Sequence, residues 1–528
     1  MIISGHILDP VAGKGFDGEI QVENGKIVSV RPVEGVPAEA PYILPGFVDA
    51  HVHIESSMMM PAQFAGALLP LGIVGAVCDP HEIANVLGSE GVLLMLEDAK
   101  KAEFHFAFGA PSCVPSCGSS IETSGRVLDA DDVAKLLKRD DIAFLSEMMN
   151  FPGVLGGDPE VMAKIGAAQA AGKPVDGHAP GLTGEARRSY AAAGISTDHE
   201  CSGLEEARDT VASGMYLLIR EGSAARNYAA LAPMIAEAPS KVMFCTDDSH
   251  PGDIVRGGVD KIVRYALRDG YGVFDILRAA CVNPVRHYAL PVGLLQEGDP
   301  ADFICISDLS PEFKVLKTFI GGKDMAGYKP AVARFAAAPN IFNAAPIGPS
   351  DLAGTPVDAA HVIEAYDGQL FTGKSEVPAG EDCQKLVVYN RYTPGAKPVS
   401  AHIRGFNMKC GAIAQSIAHD CHNIVAVGSS DELIADVINK VVEMRGGIAV
   451  TDGEGMESLP LPIAGIISNL GAFELAEAGE KLDEMARRTG CTMKSPFITL
   501  AFMALPVIPR LKLTDKGLFD GDTFSFVD

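Results

Sequence analysis

Positive charge is scarce in this sequence. The 528 residues include 43 Lys and Arg against 68 Asp and Glu, which gives a formal net charge of −25. A chain with this acidic excess repels phosphate backbones and anionic lipid surfaces, so nucleic-acid polymers and membranes are excluded as expected partners. The balance of 47% apolar and 21% charged residues is typical of a packed globular protein.

Long apolar runs are missing as well. Charged residues, Gly or Pro interrupt each apolar run before about 18 residues, the length that a membrane helix needs. Residues 1–9 lack the basic and apolar regions of a secretory signal. The eleven Cys residues are scattered through a chain that is large enough to need no disulfides. We therefore expect a soluble protein with reduced thiols in the cytoplasm.

Hydrophobic periodicity divides the chain into three parts. Residues 1–44 alternate apolar and polar positions around an Asn24-Gly25 turn, which predicts an antiparallel hairpin. Residues 45–291 hold eight short apolar runs separated by helix-like stretches, as a (β/α)8 TIM barrel requires. An apolar run at 303–306 predicts a return to the first sheet, and a Pro/Ala/Gly-rich stretch at 329–356 predicts a linker.

These patterns predict an α/β protein with a TIM barrel at residues 45–291. A small β-sandwich domain is expected from residues 1–44 and 292–335, and an α+β C-terminal domain from residues 345–528. The predicted barrel strands are 46–53, 73–79, 104–109, 142–147, 174–178, 195–199, 215–220 and 242–247.

Imidazoles and carboxylates fall at the C-terminal ends of these predicted strands. His51 and His53 end the first strand, and their spacing puts them on one face. Strands four, five, six and eight end at Glu147, His178, His199 and the pair Asp247-Asp248. Barrel enzymes place their catalytic groups at these ends. Taken alone, His51 and His53 could equally be histidines with a purely structural role. The prediction of a metal site therefore depends on all of these strand ends together.

Six such side chains without a thiolate suit Zn, Mn, Fe or Co, and they are too many for one tetrahedral ion. Two ions about 3.5–4 Å apart would use all six and would supply hydroxide for hydrolysis at neutral pH. Because a strand alternates faces, only one of Asp247 and Asp248 points into the barrel mouth. Asp247 is preferred, since it directly follows the apolar run, and Asp248 is left to cap the next segment or to contact substrate.

Several motifs resemble the amidohydrolase superfamily and, within it, the adenine deaminases. They extend over nearly the whole chain. The motifs are Pro-Gly-Phe-Val-Asp-Ala-His-Val-His at 45–53, Asp-Pro-His-Glu at 79–82, Ser-Glu-Met-Met-Asn at 146–150, Asp-Gly-His-Ala-Pro-Gly at 176–181, Arg-Glu-Gly-Ser at 220–223 and His-Asp-Cys-His-Asn at 419–423.

The resemblance implies a dinuclear centre, commonly Mn or Fe with Zn as an alternative. Its ligands would be His51, His53, Glu147, His178, His199 and Asp247. An activated water would attack C6 of adenine, N1 would gain a proton, and ammonia would leave to give hypoxanthine. Asp247 would act as base toward the water, Glu147 would protonate the ring or only bridge the ions, and His81 would donate a hydrogen bond in the transition state or lie in a surface loop.

Further residues carry weaker predictions. Arg220, Glu221 and Ser223 would face the purine, although Arg220 could equally form an ion pair with Glu221 or with another carboxylate. His419, Asp420 and His422 would bind a further metal, cover the barrel mouth or hold a loop together. Adenine and water are the expected small-molecule partners, and the chain is expected to form a homo-oligomer, with a dimer favoured.

Other deaminase and hydrolase patterns fit less well. His53-Ile54-Glu55 matches half of the cytidine-deaminase signature, but the sequence contains no Pro-Cys-x-x-Cys. His81-Glu82 fails the zincin pattern because Asn85 stands where the second His is needed. Hydrolysis of N6-methyladenine or of a cyclic amide remains an alternative on the same barrel, and a catalytically inactive scaffold is a more remote one.

Overall fold

A computed structural model describes residues 1–333, 335, 337–353, 361–375 and 383–527. The end of the predicted linker, residues 354–356, lies outside these residues. Within the described part of the chain, no helix is both long and apolar enough to cross a membrane.

The N-terminal residues form four strands. They are β1 (Ile2–Asp9), β2 (Lys14–Glu23), β3 (Lys26–Pro32) and β4 (Tyr42–Pro45). The predicted hairpin joins β2 to β3, where Asn24 and Gly25 both have positive φ angles, of 50° and 78°. That backbone matches the twist of paired strands, which explains why Asn-Gly occupies the turn.

Parallel strands follow. Both of their faces are mostly buried, so exposed and buried residues seldom alternate along them. They are β5 (Phe47–His53), β6 (Ile73–Cys78), β7 (His105–Ala110), β8 (Ile142–Met148), β9 (Val175–Gly177), β10 (Thr197–Asp198), β11 (Tyr216–Arg220), β12 (Val242–Cys245) and β13 (Asp247–Asp248). Every residue of β5 and β6 is buried, as expected for strands covered on both faces.

These strands close into the predicted eight-stranded barrel. One run of parallel pairs links β13-β5-β6-β7-β8-β9 and a second links β10-β11-β12. A parallel bridge between Val175 and Ile195 joins the two runs, and β12 and β13 are consecutive halves of the eighth strand. The break falls at Thr246, whose N–H and hydroxyl donate to Asp49 on the first strand, at 3.0 and 2.5 Å.

Helices cover the barrel. They are α1 (Pro61–Leu68), α2 (His81–Leu87), α3 (Ser89–Ala99), α4 (Ala130–Leu137), α5 (Phe151–Gly156), α6 (Pro159–Ala170), α7 (Gly184–Ala192), α8 (Leu204–Ala212), α9 (Tyr228–Leu231), α10 (Met234–Glu237), α11 (Pro251–Ile254), α12 (Asp260–Arg268), α13 (Val273–Leu277) and α14 (Asn283–His287). Short 3₁₀ turns at Ile54–Ser57 and Leu69–Leu71 and a π turn at Arg278–Val282 supplement them. Asp129 caps α4 by accepting from the Asp132 N–H, at 2.9 Å.

The chain then returns to its first sheet through β14 (Phe303–Ile306), β15 (Val315–Ile320) and β16 (Lys323–Asp324). The residues that were predicted to form the small β-sandwich domain make one seven-stranded sheet in the order β16-β15-β14-β4-β1-β2-β3. Its own apolar cluster includes Ile7, Ile20, Ile43 and Phe303.

The C-terminal residues add β17 (Val362–Glu364), β18 (Gly373–Ser375), β19 (Gln384–Tyr389), β20 (Val399–Arg404), β21 (Ala412–Gln415), β22 (Ile424–Gly428), β23 (Gly447–Thr451), β24 (Met456–Pro460), β25 (Leu511–Thr514), β26 (Gly517–Asp520) and β27 (Ser525–Phe526). Helices α15 (Asp431–Met444), α16 (Ala472–Arg488) and α17 (Pro496–Ala501) and 3₁₀ turns at Pro349–Asp351 and Phe502–Ala504 lie among them. Strands β17 to β24 form an eight-stranded sheet, on which α15 packs, and α16 packs against α11 of the barrel. The mixture of strands and helices agrees with the predicted α+β class.

Candidate metal centre

The first barrel strand presents two imidazoles at its C-terminal end. His51 and His53 are two residues apart on β5, so both side chains lie on one face. Their Nε2 atoms are 3.2 Å apart, and each residue is at most 3% exposed. His53 Nδ1 lies 3.1 Å from the Asp79 carbonyl oxygen, which fixes the ring and leaves Nε2 toward the cluster.

The eighth strand adds Asp247 to these histidines. Asp247 Oδ1 lies 3.0 Å from His53 Nε2 and 3.5 Å from His51 Nε2. The neighbouring Asp248 turns away, because its Oδ1 accepts from the Ser56 hydroxyl at 2.5 Å. Of the two adjacent acids, Asp247 is therefore the one that the structure brings to the histidines.

Glu147, at the end of β8, lies between two sets of imidazoles. Its Oε1 is 3.4 Å from His53 Nε2. Its Oε2 is 2.8 Å from His178 Nδ1 and 3.2 Å from His199 Nε2. The His51 and His199 rings stack with centroids 4.1 Å apart. All six residues that were predicted as ligands thus lie in one buried cluster.

Hydrogen bonds to the main chain hold this cluster in place. The Glu147 N–H donates to Asp79 at 3.2 Å, and the Ser112 hydroxyl donates to the Glu147 carbonyl at 2.5 Å. The Tyr190 hydroxyl accepts from the His178 N–H at 3.1 Å and donates to the Met148 carbonyl at 2.7 Å. Such supporting bonds restrict the ligands to one orientation.

Both carboxylates of the cluster have lowered pKa values, which favours their ionised forms. Burial alone would raise the pKa of Glu147, but the His178 imidazole and hydrogen bonds from His178 and His199 hold that pKa well below its ordinary value. Burial also opposes ionisation of Asp247, yet the Arg220 guanidinium and the imidazoles of the first strand keep its pKa well below the ordinary value. Ionised carboxylates are the form that binds a cation.

The histidines differ in protonation. Burial lowers the pKa of His51 to about 4, and the His199 imidazole adds to that effect. Burial acts in the same direction on His178, but the Glu200 and Glu147 carboxylates outweigh it and raise its pKa to about 9. Within the described residues, the buried His178 Nε2 has no hydrogen-bond partner. The Glu200 and Glu147 carboxylates favour a proton on His178, and a bound divalent cation would take the place of that positive charge.

The donor atoms fit a divalent metal. Overlapping groups have donors within 4.8 Å of one another, and they include His51-His53-Asp247, His51-Glu147-His199 and His53-Asp79-His81-Glu147. Imidazole and carboxylate donors suit Zn, Mn, Fe or Co. Glu147 belongs to two of these groups, as a carboxylate shared between ligand sets would.

The chain matches two family models. Residues 42–325 match the amidohydrolase family and residues 365–525 match the adenine deaminase C-terminal domain. A protein named adenine deaminase from Salinibacter ruber is 48% identical over 100% of this chain and 98% of its own length. One from a Sulfurovum species is 49% identical over 97% of this chain and 96% of its own.

The chain belongs to the adenine deaminase family. This confirms the family predicted from the sequence motifs. A solved 5-methylcytosine deaminase from Klebsiella pneumoniae, liganded with 5-fluorocytosine, is also similar, with a TM-score of 0.45 and 15% identity over 63% of this chain and 99% of that one.

In this member of the adenine deaminase family, Arg220 lies beside the cluster. One of its terminal nitrogens is 2.5 Å from Glu200 Oε1 and 2.5 Å from Asp247 Oδ2. The ion-pair partners are therefore Glu200 and Asp247 rather than the adjacent Glu221. Glu200 also approaches His199 Nε2, at 3.4 Å. The sequence reasoning missed Glu200, although its position directly after His199 at a strand end was an available signal.

The adenine deaminase C-terminal domain reaches the mouth of the barrel. His419 Nδ1 contacts Glu82 Oε1, and His422 Nε2 lies 2.5 Å from Glu82 Oε2. Asp420 Oδ1 is 3.7 Å from His81 Nε2. Three alternatives were predicted for this motif: a further metal site, a cover for the barrel mouth, or support for a loop. The contacts with Glu82 and His81 place the three residues against the barrel mouth.

A narrow cavity lies between the barrel and the C-terminal domain. It is lined by His53, His81, Glu82, Glu147, Met149, His178, His199, Glu200, Asp247, Asp248, Leu370, His419, Asp420, Phe502 and Leu505. Glu221 and Ser223, predicted to bind substrate, do not line it. Glu221 accepts from the Tyr228 N–H at 3.3 Å, and the Ser223 hydroxyl donates to Asp253 at 2.6 Å in a separate, outer cavity.

Proposed function

We propose that this protein is an adenine deaminase that converts adenine and water into hypoxanthine and ammonia, a step of purine salvage. The observation that carries the proposal is the buried cluster of six candidate ligand side chains at the C-terminal ends of the barrel strands, five of which line one cavity. Its relatives of 48% and 49% identity are named adenine deaminase over nearly their full length. Both family models agree with this assignment.

Two divalent ions, Mn or Fe with Zn as an alternative, are part of the proposal. They would be held by His51, His53, Glu147, His178, His199 and Asp247. When bound, such ions lower the pKa of a coordinated water and stabilise negative charge that develops on the substrate.

The side chains of the cavity would then move the protons. The lowered pKa of Asp247 favours its ionised form and the residue lies within the cluster, so it can accept a proton of the attacking water. Glu147 would take up one proton of the water and pass it to N1 of the ring, and Asp247 would pass the other to the departing amino group, so that ammonia leaves as the C6 carbonyl forms. Burial disfavours a charged His81, but Asp79 and Asp420 raise its pKa well above the ordinary value, so it is a hydrogen-bond donor toward the developing charge.

Two further residues would contact or orient the base. Asp248 lines the cavity, and its side chain is fixed by Ser56. Arg220 would act by holding Asp247 and Glu200 in place rather than by touching the ring. Ser223 would contact substrate from the outer cavity, and Glu221 would support the same segment by accepting from the Tyr228 N–H.

The assay is ammonia release by protein reconstituted with Mn²⁺ or Fe²⁺, with metal content measured in the same samples. Adenine, N6-methyladenine, adenosine and cytosine are the substrates compared. We expect turnover of adenine above that of the other three. Metal-loaded protein that released ammonia from none of them would refute the proposal, and faster release of methylamine from N6-methyladenine would reassign the substrate.

The Glu147→Gln variant separates two roles of this residue. We expect it to keep full metal content and to lose about 10²- to 10⁴-fold in kcat, the range for loss of a proton-transfer group. Glu206→Gln is the control, because Glu206 is also buried but accepts from the Gly181 and Ser202 amides. Loss of metal from Glu147→Gln would instead make the residue a ligand only.

We also propose a cytoplasmic location and a homodimer. All eleven cysteines are free thiols, which agrees with a reducing compartment. Light scattering in solution would report twice the chain mass of 55.4 kDa for the dimer.

A further inference from the structure

The cavity between the barrel and the C-terminal domain has two walls of different origin. The barrel contributes the metal-ligand cluster, and the C-terminal domain contributes Leu370, Phe502 and Leu505 together with His419 and Asp420. The C-terminal wall therefore faces whatever part of the substrate points away from the cluster.

Asp420 is the feature of this wall that needs a ligand. It is 3% exposed, and its Oδ2 atom has no hydrogen-bond partner among the described residues. The other oxygen, Oδ1, is 3.7 Å from His81 Nε2, beyond hydrogen-bond distance. A buried carboxylate oxygen without a donor is costly, so its retention indicates that a donor arrives with the substrate.

The loop that carries Asp420 is held rigidly on both sides. Its neighbour His419 contacts Glu82 and stacks on Phe502 with ring centroids 4.7 Å apart and planes at 16°. The His419 N–H donates to the Ala501 carbonyl at 3.1 Å. His422, on the other side, lies 2.5 Å from Glu82. This support fixes where the Asp420 carboxylate points, as recognition of a small ligand requires.

The position of Asp420 selects one donor of a purine base. A carboxylate only accepts hydrogen bonds. The amino group at C6 must lie at the metal-ligand cluster in order to leave, so it is not the donor. The His81 ring lies between that cluster and Asp420, with its centroid 4.6 Å from the His53 ring. At the far end of an unsubstituted purine, the remaining donor is the imidazole N–H.

We propose that Asp420 is a specificity-determining residue that accepts a hydrogen bond from the imidazole N–H of a free purine base. This inference rests on the proposed function for the orientation of the base. It makes the cavity selective against purines that are substituted at N7 or N9, nucleosides included, because they have no such N–H and leave the buried carboxylate unpaired.

The test compares adenine with 9-methyladenine in wild-type protein, Asp420→Ala and Asp420→Asn, each loaded with Mn²⁺. Both kcat/KM and the dissociation constants from equilibrium binding are measured. We expect Asp420→Ala to lower kcat/KM for adenine and to weaken adenine binding by about 10- to 100-fold, with little change for 9-methyladenine. Asp420→Asn keeps an uncharged acceptor and should recover part of the loss.

Glu122→Gln is the matched control, because Glu122 is buried near Asp420 but accepts from the Ser116 hydroxyl at 2.7 Å and does not line the cavity. It should leave the preference for adenine unchanged. Equal losses for both ligands in Asp420→Ala, or an unchanged preference, would overturn the inference, as would wild-type protein that fails to bind adenine. Protein that binds adenine in an Asp420-dependent manner but releases no ammonia would overturn the proposed function alone.

Discussion

Lys512 fixes the C-terminal wall of the cavity, and its burial predicts an unusual dependence of stability on pH. This β25 residue is fully buried, and its ammonium contacts the carbonyl oxygens of Leu370 and, at 2.9 Å, Phe502. Both of those residues line the cavity. Burial lowers the pKa of Lys512 to about 7, whereas a lysine in an unfolded chain titrates near 10.4.

The sign of the effect follows from proton linkage. Below pH 7 both states are protonated, so the folded protein bears the whole cost of the buried charge. Between pH 7 and about 10 the unfolded state binds more protons, so the free energy of unfolding rises with pH by up to about 1.4 kcal/mol per pH unit. From pH 7 to pH 9 the two pKa values give a gain of about 2 kcal/mol from this group.

Denaturant unfolding of wild type and Lys512→Met at pH 7, 8 and 9 measures this gain. The difference in unfolding free energy between the two proteins should shift by about 2 kcal/mol in favour of wild type over this interval. Lys516→Met provides the control, since Lys516 is exposed and lies on the adjacent turn. Parallel pH profiles for wild type and Lys512→Met would refute the reasoning, because the charge would then not be buried as the structure has it.

Two further predictions concern the support of the metal-ligand cluster. Arg187→Met should destabilise the protein by about 3–5 kcal/mol in thermal or denaturant unfolding, because it leaves Asp198, next to His199, buried without its guanidinium partner. The neighbouring Arg188 forms an exposed pair with Glu185, so Arg188→Met should cost less than about 1 kcal/mol, and equal effects would contradict the argument. Removing divalent ions with a chelator should lower Tm, and Mn²⁺ should restore it; an unchanged Tm would show that no ion contributes to folding.

The metal-ligand cluster was predictable because a barrel simplifies the problem. Once eight parallel strands are recognised, their C-terminal ends must meet, so His51 and His53 can be placed beside Glu147 without knowing any distance. The alternation of a strand showed only that one of Asp247 and Asp248 faces the barrel mouth, and Asp247 was preferred because it directly follows the apolar run. The structure adds the physical reason for it, since Ser56 draws Asp248 away. The family prediction is confirmed by the matching domains.

The predicted ends of two barrel strands differ from those in the structure, and in one of them side-chain hydrogen bonds interrupt the pairing of the strands. The sixth strand was predicted over 195–199, but the ladder is confined to Thr197–Asp198. The eighth was predicted as one run over 242–247 and is interrupted at Thr246, which donates to Asp49. Apolar periodicity reports which residues are buried, and it carries no information about such side-chain bonds.

The contacts across the chain could not be predicted from spacing. Glu82 follows the second strand, and the imidazole that contacts it, that of His419, comes 337 residues later. No local pattern relates such distant positions. The pairing of Arg220 with Glu200 was missed for a similar reason, since two separate strands must be brought together before the ion pair exists.

The contact between Glu82 and the C-terminal histidines also bears on why the barrel and the C-terminal domain occur in one chain. Burial alone would raise the pKa of Glu82, and the His419 and His422 imidazoles instead hold it well below its ordinary value. A barrel without the C-terminal domain would lose both partners and would open the cavity that Leu370 and Phe502 enclose. Water would then enter and weaken each electrostatic interaction with the base. All six proposed ligand side chains belong to the barrel, whereas residues of both domains line the cavity beside them.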